Sequence, residues 1–116
     1  LEHPPNAEPD SPRYAQIQYF MGLADSRNDN VERAVSQFER SLAAEPSVSA
    51  ALNIAAILAS AQHFSASLGF IERARELERQ GVRRADGARV YGASDIDELE
   101  KTIVGSMNAA QAAEPT

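Results

Sequence analysis

Apolar residues recur at steps of three and four along most of this 116-residue chain. Polar or proline-containing segments separate the stretches that carry this spacing. The spacing places apolar side chains along one side of an α-helix, whereas the strict alternation typical of a half-buried strand does not appear over any length. The sequence therefore predicts an all-α protein.

The first predicted helix begins at Pro12 and runs to about Ser26. Ser11 offers an N-cap, and a proline is tolerated at the first helical position because its missing N–H is no loss there. The preceding residues, 1–11, contain three prolines and little apolar surface, which predicts a disordered tail. The apolar stripe of this helix is formed by Tyr14, Ile17, Met21 and Ala24.

The second predicted helix follows a short polar turn and ends before Pro46. Asp29 and Glu32 are spaced as in a capping box, which predicts the start of a helix. The helix should end before Pro46, because the residue before a proline is pushed away from helical backbone angles. The apolar stripe of this helix is formed by Val31, Ala34, Val35, Phe38 and Leu42.

Two further helices are predicted between Pro46 and Gly81. Residues 50–61 are apolar nearly all round, as expected of a helix that is packed on several sides. The next helix begins after Gln62 and His63 and ends at Gly81, a residue typical of helix C-termini. Its apolar stripe is formed by Phe64, Ser67, Leu68, Ile71, Ala74 and Leu77.

Residues 82–93 are predicted to be a loop, and residues 94–112 a last helix followed by a disordered tail at 113–116. Ser94 is the predicted N-cap, and acids in the first turn suit the helix dipole. One face of this helix carries Ile96, Leu99, Ile103 and Met107. We expect this face to cap the preceding helices; pairing with a second chain is the alternative.

The pattern of helices and of apolar and small residues in 15–48 is repeated in 49–81, at a spacing of about 34 residues. We expect a one-residue deletion in the turn between the two helices of the second block. The pattern resembles the tetratricopeptide repeat, in which small residues lie where helices cross. The resemblance rests in the first block on Met21, Gly22, Ala34, Phe38, Leu42 and Pro46, and in the second on Leu52, Ala55, Ala56, Phe64, Ser67, Ile71 and Ala74. It implies two antiparallel helical hairpins, at 12–46 and 47–81, that form part of a right-handed superhelix. Ser41, Asp25 and the missing second proline depart from the family pattern.

The resemblance also implies a binding surface, since ligands of this family usually lie in a concave groove lined by the first helix of each repeat. Tyr19 is the expected anchor because aromatic side chains dominate interface energetics. The groove positions carried over from the family are Gln16, Tyr19, Leu23 and Ser26 in the first repeat, and Asn53, Ile57 and Ser60 in the second. The alternative is that the C-terminal helix folds back and covers them.

Composition narrows the remaining possibilities. Seventeen acidic against eleven basic residues disfavour a nucleic-acid partner, because Lys and Arg neutralise phosphates in such complexes. No apolar run approaches the roughly 20 residues of a membrane-spanning helix. The chain has no cysteine, and neither its two histidines nor its acids show metal-ligand spacing, so no metal and no cofactor is expected. His63 lacks a recognisable nucleophile or orienting acid, so no catalytic residue is assigned.

Basic residues concentrate between Arg73 and Arg89, where they are interspersed with acids. Such a segment could hold an anionic partner, but a solvated helix face with ion pairs is the commoner outcome.

The sequence thus predicts a non-catalytic scaffold that binds a protein or peptide, or associates with itself through the C-terminal helix. The alternative is a C-terminal accessory domain of a larger bacterial membrane or cell-envelope protein, because the arrangement resembles the soluble regions of some surface-glycan polymerases and ligases. The arginine and alanine bias suggests a bacterial origin, and the compartment, cytoplasmic or periplasmic, stays open.

Overall fold

The computed structural model describes residues 12–81 and 92–113, and all regular structure in these ranges is α-helical. This confirms the all-α prediction. The predicted tail at 1–11, residues 114–116 of the tail predicted at 113–116, and most of the predicted loop at 82–93 lie outside the described residues, whereas Ala113 belongs to the last helix. The helices are α1 (Pro12–Arg27), α2 (Val31–Ala44), α3 (Val48–Ser60), α4 (Phe64–Arg79) and α5 (Ala93–Ala113). No helix within the described ranges is both long and apolar enough to cross a membrane.

The chain divides into two compact units, Leu1–Ser47 and Val48–Thr116. The first contains the α1–α2 hairpin, and the second contains the α3–α4 hairpin together with α5. Two helical hairpins and a further helix were predicted, and each is present.

In the first unit, α1 and α2 approach closely because small residues lie where they meet. Ala34 in α2 is fully buried and Ala15 in α1 nearly so. The buried ring of Phe38 lies against Gly22, so close that a Cβ atom on Gly22 would fall 2.6 Å from Cε1 of the ring. The pairing of a glycine with an aromatic ring therefore sets the distance between the two helices.

The predicted apolar stripe of α1 is wrong. Ile17, Met21 and Ala24 are exposed, and Tyr14 is only half-buried. The buried side of α1 instead carries small and polar residues: Ala15, Gln18, Gly22, Asp25 and Ser26. The reason is that close helix crossing at Gly22 selects small side chains for the interface and turns the larger apolar ones outward.

A Schellman turn joins α1 to α2. Asp29 adopts a left-handed backbone conformation with φ 63°, which Asp tolerates better than most residues. The N–H of Asn30 donates to the carbonyl of Asp25, and the N–H of Asp29 donates to that of Ser26. The predicted capping box is therefore wrong: Asn30 is the N-cap of α2, and Asp29 ends the preceding helix. Glu32 lies in the first turn, where its charge suits the helix dipole.

The turn between α3 and α4 has the same form. Gln62 has φ 65°, the N–H of His63 donates to the carbonyl of Leu58, and that of Gln62 donates to Ala59. Both turns contain three residues, 28–30 and 61–63, so the deletion expected in the second turn is absent. Asp29 and Gln62 hold the same position in the two turns, so aligning them aligns the two hairpins residue by residue. We call this alignment the common register.

In this register the residues at the helix crossing of the first hairpin correspond to those at the crossing of the second. Gly22 and Ala34 match Ala55 and Ser67, all of them buried. In the second hairpin the hydroxyl of Ser67 donates to the carbonyl of Ala55 over 2.6 Å. The crossing in the second unit is therefore reinforced by a buried hydrogen bond between helices.

The first helix of the second hairpin begins earlier than predicted. α3 begins at Val48 rather than at residue 50 and is buried on several sides, as predicted for an apolar helix. α4 ends at Arg79, and Gly81 follows with φ 73°, which confirms Gly81 as the glycine of the C-terminal cap.

Helix α5 packs against α4 and α3 within the second unit. Ile96 and Ile103 are buried, whereas Leu99 and Met107 are half-buried. The helix begins at Ala93, and the carboxylate of Asp95 accepts a hydrogen bond from the N–H of Gly92. Ser94 is therefore inside the helix rather than its predicted N-cap.

Candidate interaction surface

The groove residues predicted in the first repeat form one row along α1, but they differ in accessibility. Gln16 is exposed, Tyr19 and Leu23 are half-buried, and Ser26 is buried. The carbonyl of Ser26 accepts the hydrogen bond from Asp29 that closes the helix. Ser26 is thus part of the turn, and a ligand on this row would contact chiefly Gln16, Tyr19 and Leu23.

Tyr19, the predicted anchor, has contacts inside its own unit. Its ring lies 5.8 Å from that of Phe38, centroid to centroid, and 5.9 Å from that of Phe20 in an edge-on arrangement. These distances are in the range of stabilising aromatic pairs. Tyr19 therefore supports the packing around Phe38 in addition to presenting some surface to solvent.

The groove residues predicted in the second repeat lie on a face of α3 that does not correspond to the face of α1 carrying the first-repeat groove residues. Asn53 and Ser60 are exposed and Ile57 is half-buried. In the common register the positions that match Tyr19, Leu23 and Ser26 are Leu52, Ala56 and Ala59. The three predicted residues match Phe20, Ala24 and Arg27 instead, because the expected deletion shifted the alignment by one position.

The face of α1 opposite the helix crossing exposes large apolar side chains. Phe20 is 57% exposed, Met21 42% and Ile17 39%. Ala24 lies one turn further along and is also exposed. Steps of three and four residues place these side chains side by side on the helix. We call this surface, formed by Ile17, Phe20, Met21 and Ala24, the α1 patch.

Charges border the α1 patch at both ends. Arg13, Ile17, Phe20, Ala24 and Arg27 follow one another at steps of four, three, four and three, and all five are exposed. The one acid in α1 is Asp25, which is turned inward and lies 3.8 Å from Nε of Arg33 in α2. The exposed row therefore carries no charged side chain between Arg13 and Arg27.

Sequence reasoning missed the α1 patch because it assigned Ile17, Met21 and Ala24 to the core. A signal for it was present. α1 carries apolar residues on more than one face, since Tyr19 and Leu23 fall outside the row of Ile17, Met21 and Ala24. A helix in a hairpin that already has Ala15 and Gly22 for close packing cannot bury all of these larger side chains against one partner helix.

Two of the three arginines of α4, Arg75 and Arg79, form ion pairs, which was the commoner outcome expected for the basic segment. Arg75 pairs with Glu100 at 2.7 Å and Asp97 at 2.8 Å, both in α5, and with Glu72 in its own helix. Hydrogen bonds to Glu100 and then Asp97 raise the pKa of Arg75 above its usual value. A hydrogen bond from Arg79 lowers the pKa of Glu76. Arg75 thus connects α4 to α5. The other arginines of the predicted basic segment, Arg83, Arg84 and Arg89, lie outside the described residues.

The remaining candidates for chemistry are few. His63 occupies the N-cap position of α4 and is half-buried. Within residues 12–81 and 92–113, no three potential metal ligands of the His, Cys, Asp or Glu type come together. The α1 patch is the surface feature of the described residues that packing inside the hairpin does not explain.

Comparisons of this chain with protein families, with curated proteins and with solved structures give no match.

Proposed function

We propose that this chain is a non-catalytic protein-interaction module built from two hairpins of the tetratricopeptide type, and that a protein or peptide partner binds to the α1 patch. The observation that carries the proposal is the exposure of three large apolar side chains, Ile17, Phe20 and Met21, on one face of one helix. Adjoining apolar side chains left in water are a common mark of surfaces that bind other proteins.

The packing beneath the patch suits this role. α1 is fixed against α2 by the contact of Gly22 with Phe38, and its C-terminus is closed by the turn at Asp29. A partner would therefore meet a helix that is already ordered. Preorganisation of this kind lowers the entropic cost of binding.

A comparison of equivalent positions in the two hairpins also supports the α1 patch as a binding surface. In the common register Met21 of α1 matches Ile54 of α3. Ile54 is fully buried, whereas Met21 is 42% exposed. The same helix position is thus covered in one hairpin and open in the other, as expected if a partner supplies the cover in the first.

Phe20 is the expected anchor of the interaction. Among the large apolar residues of 12–81 and 92–113 it is the most exposed, and aromatic side chains contribute strongly when a partner pocket buries them. Tyr19 is a weaker candidate because its ring already packs on Phe38. The proposal therefore moves the binding surface from the predicted groove row to the neighbouring face of α1.

Selection of binders from a displayed peptide library on the intact chain tests the proposal. We expect enriched peptides whose affinity falls about tenfold or more in a chain carrying Ile17→Ser and Phe20→Ser. The matched control carries Gln16→Ala and Asn53→Ala, which change two exposed residues of the predicted groove. Peptides that lose binding to the control and retain it with the patch variant would overturn the proposal, as would the absence of any enriched peptide.

A further inference from the structure

The two arginines at the ends of the α1 patch restrict what can bind there. Arg13 and Arg27 lie on the same row of α1 as Ile17, Phe20 and Ala24, and both are exposed. Fourteen helical steps of 1.5 Å separate them by about 21 Å. Asp25 does not neutralise them from within the row, because it is buried on the other side of α1 beside Arg33.

We infer that the α1 patch takes an amphipathic helix of a different protein, one whose apolar stripe carries a carboxylate at each end. This inference rests on the proposed function and names the chemistry of the partner. The apolar stripe would cover Phe20 and its neighbours, and the carboxylates would lie beside Arg13 and Arg27. Complementary charges of this kind at the rim of an interface select the partner and its register.

A second copy of this chain fits the patch poorly. In an antiparallel twofold pairing centred on Phe20, Arg13 of each copy would lie beside Arg27 of the other. In a parallel twofold pairing, each arginine would lie beside its own equivalent. Either symmetric arrangement places like charges together at both ends of the interface, which disfavours self-association.

An anionic membrane surface is also a poor fit. Helices that lie in the membrane interface are rich in Lys and Arg along their polar face. The exposed row of α1 has basic residues only at its ends, and the whole chain has a formal net charge of −6. Long-range repulsion from an acidic lipid surface therefore opposes binding, whereas a single partner helix needs only the two local contacts.

Three synthetic peptides test the inference. They share one Leu-based apolar stripe and a side-chain lactam that preforms the helix, and they carry Glu, Gln or Lys at both ends of the stripe. Binding to the intact chain is measured by fluorescence anisotropy at low and at high salt. We expect the Glu peptide to bind about tenfold more tightly than the Lys peptide at low salt, with the difference shrinking at high salt.

Charge variants identify the arginines responsible. Arg13→Gln with Arg27→Gln should remove the preference for the Glu peptide without abolishing binding of the Gln peptide. The matched control, Arg40→Gln with Arg73→Gln, removes two exposed arginines from α2 and α4 and should leave the preference intact. Circular dichroism on each variant confirms that the helices are retained.

The outcomes separate this inference from the function on which it rests. Equal affinity for all three peptides, lost in Phe20→Ser, would overturn the acidic-partner inference and leave the α1 patch as a binding surface. Absence of binding by all three, together with a failed display selection, would overturn both. Dimerisation that Phe20→Ser abolishes, or co-sedimentation with vesicles containing phosphatidylglycerol that depends on Phe20, would identify a different occupant and overturn the inference.

Discussion

A Cβ atom on Gly22 would lie 2.6 Å from Cε1 of Phe38, inside the contact distance of two carbon atoms. Phe38 is fully buried, so its ring has little room to move aside. The glycine therefore permits the α1–α2 crossing, and the crossing decides which face of α1 remains in water. The exposure of Phe20 is a consequence of the contact between Gly22 and Phe38.

Replacing Gly22 tests this relationship. Gly22→Ala should lower the free energy of unfolding by about 1 to 3 kcal/mol, because overpacking against the Phe38 ring exceeds the gain in helix propensity. Gly69→Ala is the matched control: Gly69 lies within α4 with nothing within 4 Å of an added Cβ, so this change should stabilise by about 0.5 to 1 kcal/mol. Urea unfolding measures both. Equal stabilisation by the two substitutions would contradict the crossing described for the first unit.

Removal of the Ser67 hydroxyl should weaken the second crossing. The hydroxyl donates to Ala55 in a buried setting, and Ala34 holds the equivalent position in the first hairpin, so an alanine fits there. Ser67→Ala should therefore cost about 1 kcal/mol, the usual net contribution of such a hydrogen bond. Ser106→Ala, at an exposed position of α5, serves as the control in thermal unfolding. An unchanged midpoint in Ser67→Ala would show that the hydrogen bond contributes nothing.

Arg75 should matter more than Arg79 for the attachment of α5. Arg75 reaches Glu100 and Asp97 in α5, whereas Arg79 pairs with Glu76 in its own helix. Arg75→Gln should cost about 1 kcal/mol because several charges share one network, and Arg79→Gln should change stability by less than about 0.5 kcal/mol. Hydrogen exchange of the α5 amides reports detachment directly. Faster exchange in α5 for Arg79→Gln but not for Arg75→Gln would reverse the assignment.

We expect Asp25 to destabilise the first unit. Its carboxylate is nearly buried, and its ion pair to Arg33, whose side chain is 70% exposed, is long at 3.8 Å. The equivalent residue in the second hairpin is the fully buried Leu58. Asp25→Leu should therefore stabilise by about 1 kcal/mol, since apolar replacement of a poorly paired buried charge is often favourable. Arg33→Gln should act in the opposite direction, and destabilisation by Asp25→Leu in chemical denaturation would refute this view.

The sequence predicted the helices well because their boundaries depend on local chemistry. Pro12 starts α1, Gly81 ends α4 with a positive φ, and the proline at 46 follows the end of α2. The turn at Asp29 was misread, because an aspartate serves equally as a helix N-cap and as a residue that tolerates left-handed backbone angles. Only the three-dimensional path of the chain distinguishes these two roles.

The candidate surface was less predictable than the fold. Periodicity places residues on faces of a helix, but it does not say which face meets the partner helix when several are apolar. In α1 the choice depends on the fit between Gly22 and Phe38, a contact between residues in different helices. The register of the second hairpin likewise depended on the length of a turn, and an error of one position moved Asn53 and Ile57 to another face.

Mapping the residues that a patch-dependent peptide contacts locates the binding surface directly. Methyl and backbone NMR spectra of the intact chain are recorded with the Glu-flanked peptide or with a peptide from the display selection. We expect the shift changes to concentrate on Ile17, Phe20 and Met21. Changes concentrated instead on Tyr19, Leu23, Asn53 and Ile57, with the α1 patch unaffected, would contradict this expectation and return the binding surface to the groove predicted from the sequence.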